Sequence, residues 1–252
     1  MDTPWRGGLR QRLAPYRLRH LLRTIQSVVV PGERAWQYAR HLGFNEHQIF
    51  RGLYGVDYES LSRLHQIRQE SGWPRTFLFV GRYSPEKAID VLVNAYEQYR
   101  SQIPDPWPLI CCGQGEFARQ IAASEFIRDL GFVQPSDMHR IWLGAGVFVI
   151  PSRYDPWPLA LVEACAAGLP VIASQACGSA VECVRDRSNG LLIAKDNVDD
   201  LCRAMVESHT AFDRLPRMGV VSRALAEPYS AEAWSYRWSH ILQRSIANQR
   251  LT

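Results

Sequence analysis

The sequence predicts an α/β protein with a Rossmann-like parallel sheet covered by helices. Short unbroken apolar runs recur along the chain: TFLFV, LICC, VFVI and VIA. Runs of this kind mark strands buried on both faces. Between them lie stretches with apolar residues at helical spacing, such as Ile89, Leu92, Val93, Tyr96 and Tyr99. The two patterns alternate, and that order yields parallel strands joined by helical crossovers.

Taken in order, Ser27–Val30 reads as a strand, and Glu33–Leu42 as a helix ending at Gly43. Ile49–Tyr54 is a second strand, and the polar stretch 60–72 a helical connector. Strands follow at Thr76–Val80 and Leu109–Cys112, and Phe117–Phe126 is expected to be helical. A short strand is expected near Phe132-Val133, then a helix over Met138–Leu143 and a strand at Val147–Ile150. Leu159–Ala167 reads as a helix stopped by Gly168. Val171–Ala173 is a strand, Leu191–Ile193 an apolar stretch after an Asn-Gly turn, and Val198–Glu207 a helix.

A length of 252 residues allows one large domain or two small ones. With 46% hydrophobic and 21% charged residues the composition is that of a soluble globular protein. No apolar run approaches the roughly 20 residues of a membrane-spanning helix. MDTPWRGGLRQR lacks the apolar core of a secretory leader. The six cysteines show no zinc-type spacing, so they are expected to serve as small apolar residues in a reducing, cytoplasmic setting. A net charge of +4 is too small to argue for nucleic-acid binding. Only two of the 29 basic residues are lysines, Lys87 and Lys195, which draws attention to both.

Ligands of open parallel sheets sit beyond the carboxyl ends of the strands, so the loops there are the informative ones. In GRYSPEKA, Arg82 and Lys87 lie at a strand end and a helix entry, two cations suited to a diphosphate. The competing reading is a surface pair in which Glu86 neutralises Lys87. Gly113-Gln114-Gly115 begins a G-x-G-x-x-A pattern that would fit a dinucleotide, with Asp129 or Asp137 as the ribose acid, although neither ends an expected strand. The glycines alternatively permit a tight turn. In PSRYDPWPLALVEACAAGLPVIAS, Asp155 follows a strand end, and Glu163 sits among apolar residues where a carboxylate needs a partner or a ligand hydroxyl. Asp155 could instead cap a helix with Pro158 as its first residue, and Glu163 could face solvent.

These segments resemble the family 4 glycosyltransferases, specifically the C-terminal, donor-binding half of their GT-B fold. GRYSPEKAIDVL is similar to the family's Gly-Arg…Lys-Gly stretch, and ICCGQGEF to its Gly-x-Gly strand end. The segment from GFVQPSD to GLPVIAS is similar to its Pro-Ser…Glu-x7-Glu…Gly-x-Pro-Val region, and CGSAVECVRDRSNGLLI to the segment after it. The resemblance is strong over residues 76–207 and weaker over 24–60, which resembles the last βαβ piece of an N-terminal domain. Residues 228–246 resemble the C-terminal helix that crosses back to that domain.

The resemblance implies retaining transfer of a sugar from a nucleotide-diphosphate donor, without a metal or other cofactor. By similarity, Arg82 and Lys87 hold the diphosphate, Glu163 the ribose hydroxyls and Asp155 the donor sugar. Gly81, Gly113, Trp157, Pro158 and Leu159 belong to the same pocket, and the base lies near Phe132 and Val133. Three positions depart from the family pattern: Asp155 stands for Glu, Pro158 for Gly and Ala88 for Gly, the last a small change.

The expected division is 1–75 as a remnant of the N-terminal domain and connector, 76–225 as the nucleotide-sugar domain and 226–252 as the crossover helix. About 75 residues are too few for a complete acceptor domain, so the chain is expected to be a fragment, a half-enzyme needing a partner chain, or a non-catalytic remnant. Turnover by the chain alone is in doubt, since without the closing domain water reaches the site. The acceptor is an unidentified glycan or lipid-linked group. Arg6, Arg10, Arg12, Arg17, Arg19 and Arg23, with Leu9, Leu13 and Tyr16 on one helical face, suit either a packed helix or peripheral contact with the inner membrane surface. Pro15 is expected to interrupt that helix. A sugar-nucleotide epimerase of the same fold and a dinucleotide oxidoreductase are the more distant readings.

Overall fold

The computed structural model describes residues 1–249 as two compact units, residues 57–227 and residues 1–56 joined by 228–249. The larger unit begins with helix α4 (Tyr58–Ser71) and contains six parallel strands: β3 (Phe77–Val80), β4 (Leu109–Cys112), β5 (Ile127–Asp129), β6 (Val147–Ile150), β7 (Val171–Ser174) and β8 (Gly190–Ile193). Their order across the sheet is β5-β4-β3-β6-β7-β8. The apolar runs form the middle of the sheet, where all four residues of β6 and of β7 are buried.

The chain moves outward from β3 through helix α5 (Ile89–Gln102) to β4 and through α6 (Ala118–Ala122) to β5. It then returns past β3 through α7 (Met138–Leu143) to β6 and runs the other way through α8 (Leu159–Ala166), β7 and α9 (Ala180–Cys183) to β8. Right-handed crossovers in opposite directions place their helices on opposite faces. Accordingly α10 (Val198–Thr210) packs on α5, whereas α11 (Leu215–Ala226) and α4 pack on α8. The reversal of strand order falls between β3 and β6, where α/β sheets open a crevice for ligands.

The smaller unit contains α1 (Leu9–Arg17), α2 (Arg19–Thr24), a parallel pair β1 (Val28–Val30) and β2 (Ile49–Arg51) bridged by α3 (Glu33–His41), and the C-terminal helix α12 (Ala231–Gln249). Its core gathers Val30, Ala35, Ala39, Phe44 and Ile49. Helix α12 is held to the segment after β2 by Trp234, whose indole N–H donates to the Leu53 carbonyl at 2.9 Å. Among the described residues, no helix is long and apolar enough to cross a membrane.

Several expectations need correction. The strand expected at Phe132-Val133 is at Ile127–Asp129 instead, and the helix expected over Phe117–Phe126 covers only Ala118–Ala122. The strand at Ile49 stops at Arg51, because Gly52 turns the chain with φ 92°. Helix α1 runs through Pro15 and breaks at Leu18; a proline in the last turn forfeits one hydrogen bond and keeps a helical φ. The compact units divide at 56/57 and 227/228, so the stretch expected to be a connector is α4, part of the sheet-bearing unit. The six cysteines are buried and form no disulfide.

Helix α4 has a specific task in that unit. The Arg68 side chain is fully buried, and its guanidinium donates to the carbonyls of Ala167 and Gly168 at the C-terminal end of α8. These carbonyls carry the negative end of the helix dipole, which favours a cation there. The Trp73 ring covers the guanidinium at 5.0 Å. Burial lowers the Arg68 pKa to about 9. Gly168 is required at this bend: its φ is 71°, and a Cβ would lie 2.7 Å from His65.

Removing this arginine leaves a cavity and unsatisfied helix-end carbonyls. Arg68→Ala is therefore expected to destabilise the chain by about 2–4 kcal/mol, read as a lower urea midpoint.

Candidate functional site

A cleft of about 360 Å³ opens at the carboxyl end of the sheet, beside the strand-order reversal. Gly81 and Arg82 line it from the loop after β3, Gly113 and Gln114 from the loop after β4, and Phe132 and Val133 from the loop after β5. Glu163 lines it from the second turn of α8, and Met138 from the start of α7. Six residues picked from sequence (Gly81, Arg82, Gly113, Phe132, Val133 and Glu163) thus meet in one cavity. Val80, Cys112, Gln114 and Met138 line it without having been picked; nothing in their residue types signals the role.

Lys87 and Asp155 form an ion pair with side-chain exposures of only 15% and 10%. The pair belongs to the same neighbourhood, because a Cβ on cleft-lining Gly81 would sit 3.8 Å from Lys87 Cε. Asp155 also accepts a hydrogen bond from the Trp157 N–H at 3.3 Å. Its backbone is fixed as well: its carbonyl accepts the Gly178 N–H at 2.8 Å, and it bridges Cys177. The ion-pair partner of Lys87 is thus Asp155, not Glu86. An ammonium has three N–H donors, so pairing with Asp155 leaves others to face a ligand.

Arg153 positions that pair, and sequence reasoning missed it. Its guanidinium grips Asp90 with two bonds of 2.8 and 2.6 Å, reaches the Pro85 carbonyl at 2.9 Å and also binds Asp196. Its backbone N–H donates to the Glu86 carbonyl at 2.8 Å. One side chain thus fastens the turn carrying Lys87 to the loop carrying Asp155. These bonds hold the Asp90 carboxyl below its ordinary pKa and raise that of Arg153. No spacing rule links residues 90 and 153, so only folding reveals the clamp.

Ala88 is a larger departure than the sequence suggested. It adopts the left-handed conformation, φ 55° and ψ 46°, at the start of α5. A side chain in this region costs roughly 1 kcal/mol that glycine would not incur.

The glycines after β4 serve loop packing. A Cβ on Gly113 would lie 1.9 Å from the Gly81 carbonyl oxygen, and one on Gly115 2.4 Å from that of Tyr83. Asp129 does end a strand, but its carboxylate takes the buried Tyr83 hydroxyl at 2.7 Å and the Gly131 N–H at 2.9 Å. That occupation disfavours the dinucleotide reading. Phe132 is 59% exposed at the cleft, a free aromatic face.

Trp157, Pro158 and Leu159 do not line the cleft, and Lys87 and Asp155 lie beside it rather than in its lining. Trp157 is buried, and Pro158 is the N-cap of α8, one position before the first helical residue. Glu163 is not on an exposed helix face: it is partly buried in the cleft wall, and its carboxylate has no partner among the described residues. Burial raises its pKa above the ordinary 4.5.

The sequence profile of the glycosyl transferases group 1 matches residues 74–210, more than half of the chain. The chain belongs to this family. It is 25% identical over 232 residues to an uncharacterized glycosyltransferase of Methanocaldococcus jannaschii, covering 87% of this chain and 52% of that protein. A D-inositol 3-phosphate glycosyltransferase of Nocardia farcinica is 29% identical over 200 residues, 69% of this chain and 44% of the relative. The chain thus spans about half the length of these curated relatives. Its fold matches sucrose-phosphate synthase from Thermosynechococcus elongatus with a TM-score of 0.75 at 21% identity, over 96% of this chain and 65% of that one. Anabaena HepE, solved with UDP-glucose, matches with a TM-score of 0.72 at 19% identity, over 92% and 68%. At these identities the matched structures establish the GT-B type of fold.

The raised Glu163 pKa has a stability consequence. Between the ordinary glutamate pKa and the raised one, the folded chain holds more protons than the unfolded chain, so stability falls as pH rises through that window. Glu163→Gln removes this dependence. The variant is expected to be more stable than the parent at pH 7 and equal to it or weaker at pH 4, measured by urea unfolding at both values.

Proposed function

We propose that this chain binds a nucleotide-diphosphate-sugar in the cleft and is the donor half of a retaining, metal-independent glycosyltransferase. The observation that carries the reading is the unpartnered, partly buried Glu163 carboxylate sharing one cleft with Arg82, with the Lys87–Asp155 pair beside Gly81. Arg82 and the free donors of Lys87 neutralise the diphosphate, and their fixed charge favours it further as the sugar–phosphate bond breaks. Glu163 accepts from the ribose hydroxyls. Each Asp155 oxygen already accepts one hydrogen bond and keeps a lone pair for a sugar hydroxyl. Phe132 and Val133 hold the base. The relatives' names and the UDP-glucose bound to HepE support this donor class.

The acceptor in this reading is a glycan or a lipid-linked group. Leu9, Leu13 and Tyr16 are 77%, 47% and 78% exposed along one face of α1, flanked by arginines. This exposure favours contact between α1 and an anionic membrane surface. Leu9→Ser with Leu13→Ser is expected to reduce co-sedimentation with phosphatidylglycerol vesicles severalfold; unchanged binding would remove the membrane from the reading.

Because the chain spans about half the length of its relatives, a second reading is a non-catalytic subunit that pairs with another glycosyltransferase chain. Calorimetry with a panel of nucleotide-sugars separates the two. The first reading expects one donor to bind with EDTA present, and Arg82→Ala to weaken it by about 1.5–3 kcal/mol, roughly 10- to 150-fold. No binding to any donor, or binding untouched by Arg82→Ala and Glu163→Gln, would sink it in favour of the second.

A further inference from the structure

A second cavity, also of about 360 Å³, lies in the sheet-bearing unit and shares no lining residue with the donor cleft. Arg187, Ser188, Arg214, Arg217, Met218 and Val221 line it. Arg187 and Ser188 come from the turn before β8, Arg214 from the residue that precedes α11, and Arg217, Met218 and Val221 from the first two turns of α11. We propose that this recess is a binding site for a phosphoryl or pyrophosphoryl group.

Three exposed arginines line it. Arg187 is paired with Glu207 at 2.8 Å, whereas the side chains of Arg214 and Arg217 have no ion pair or hydrogen bond among the described residues. The first turn of α11 contains no acidic side chain. The lining itself carries three cations and no carboxylate, with Glu207 paired to Arg187 from outside it. Guanidinium forks match phosphate oxygens two at a time, and the Ser188 hydroxyl adds a donor at the rim. Met218 and Val221 give the recess an apolar wall that suits a carbon-bearing ester.

The backbone supplies an independent indication. Arg187 has φ 60°, in the left-handed region, with its N–H bonded to the Gly190 carbonyl at 2.7 Å. Glycine adopts this conformation freely, and arginine does so against strain. The exposed pair with Glu207 contributes less than that strain costs. Backbone strain that persists in a cavity wall is commonly functional. The cation at this position therefore has a use that a glycine could not serve.

The donor cleft would also attract pyrophosphate, so the test is run in the 252-residue Arg82→Ala chain, which separates this proposal from the donor reading. Titration with inorganic pyrophosphate should give saturable binding, weakened at least tenfold by Arg214→Ala with Arg217→Ala. Arg187→Gly should weaken it too without lowering the melting temperature. Arg217→Gln alone serves if the double variant does not fold. A second arm uses phosphatidylglycerol vesicles against phosphatidylcholine vesicles in the Leu9→Ser, Leu13→Ser background, so that α1 does not contribute. Selective vesicle binding lost in the double variant identifies a lipid phosphate, and pyrophosphate binding alone identifies a soluble one. No binding to either probe, or binding indifferent to all three arginines, overturns the proposal.

Discussion

Lys87 and Asp155 lie 68 residues apart in sequence, on the loops that follow β3 and β6, and they meet as a largely buried ion pair at the point where the strand order reverses. An ion pair removed from water is costly unless its geometry is fixed and its remaining valences are used. Here both conditions are met by neighbours. Asp155 is held through its backbone by Gly178 and through its side chain by the Trp157 N–H. The turn bearing Lys87 is held by Arg153, which binds Asp90, Pro85 and Glu86 together. The cleft inherits its shape from this fastening, since Gly81 and Arg82 lie on the same loop.

The opposite wall depends on a different buried charge. Glu163 rides on α8, and the far end of that helix is pinned by Arg68 from α4. A fully buried guanidinium at a helix C-terminus and a half-buried carboxylate near the middle of the same helix are both expensive to desolvate. The first donates through its two terminal nitrogens to carbonyls within the fold, and only its Nε is left without a partner among the described residues. The second has no partner among the described residues, and that difference supports the proposed role of Glu163 toward a ligand.

The sheet was legible because buried parallel strands are apolar on both faces, so LICC and VFVI announce themselves at their observed boundaries. Strand β5 was not: its sequence is Ile-Arg-Asp, an edge strand with two exposed residues, and the neighbouring Phe132-Val133 looked more strand-like while lying in a loop. Among site residues, Arg82 and Glu163 could be picked out because a charge at a strand end or within an apolar helix is locally conspicuous. The roles of Arg153 and Arg68 could not, because in a chain with 29 basic residues neither is unusual until its distant partners are known.

The amino-acid order alone determined the alternation of buried strands and amphipathic helices, the loops at their carboxyl ends and the kinship those loops carry, because periodicity and residue type act over short distances. Tertiary structure alone decided which loops meet. It turned Asp155 toward Lys87, gave the second loop's glycines to backbone packing, assigned Asp129 to Tyr83 and joined α4 to the sheet-bearing unit. Each of these depends on contacts between residues tens of positions apart, and their pairing is set by the closed geometry of the folded sheet rather than by any local pattern.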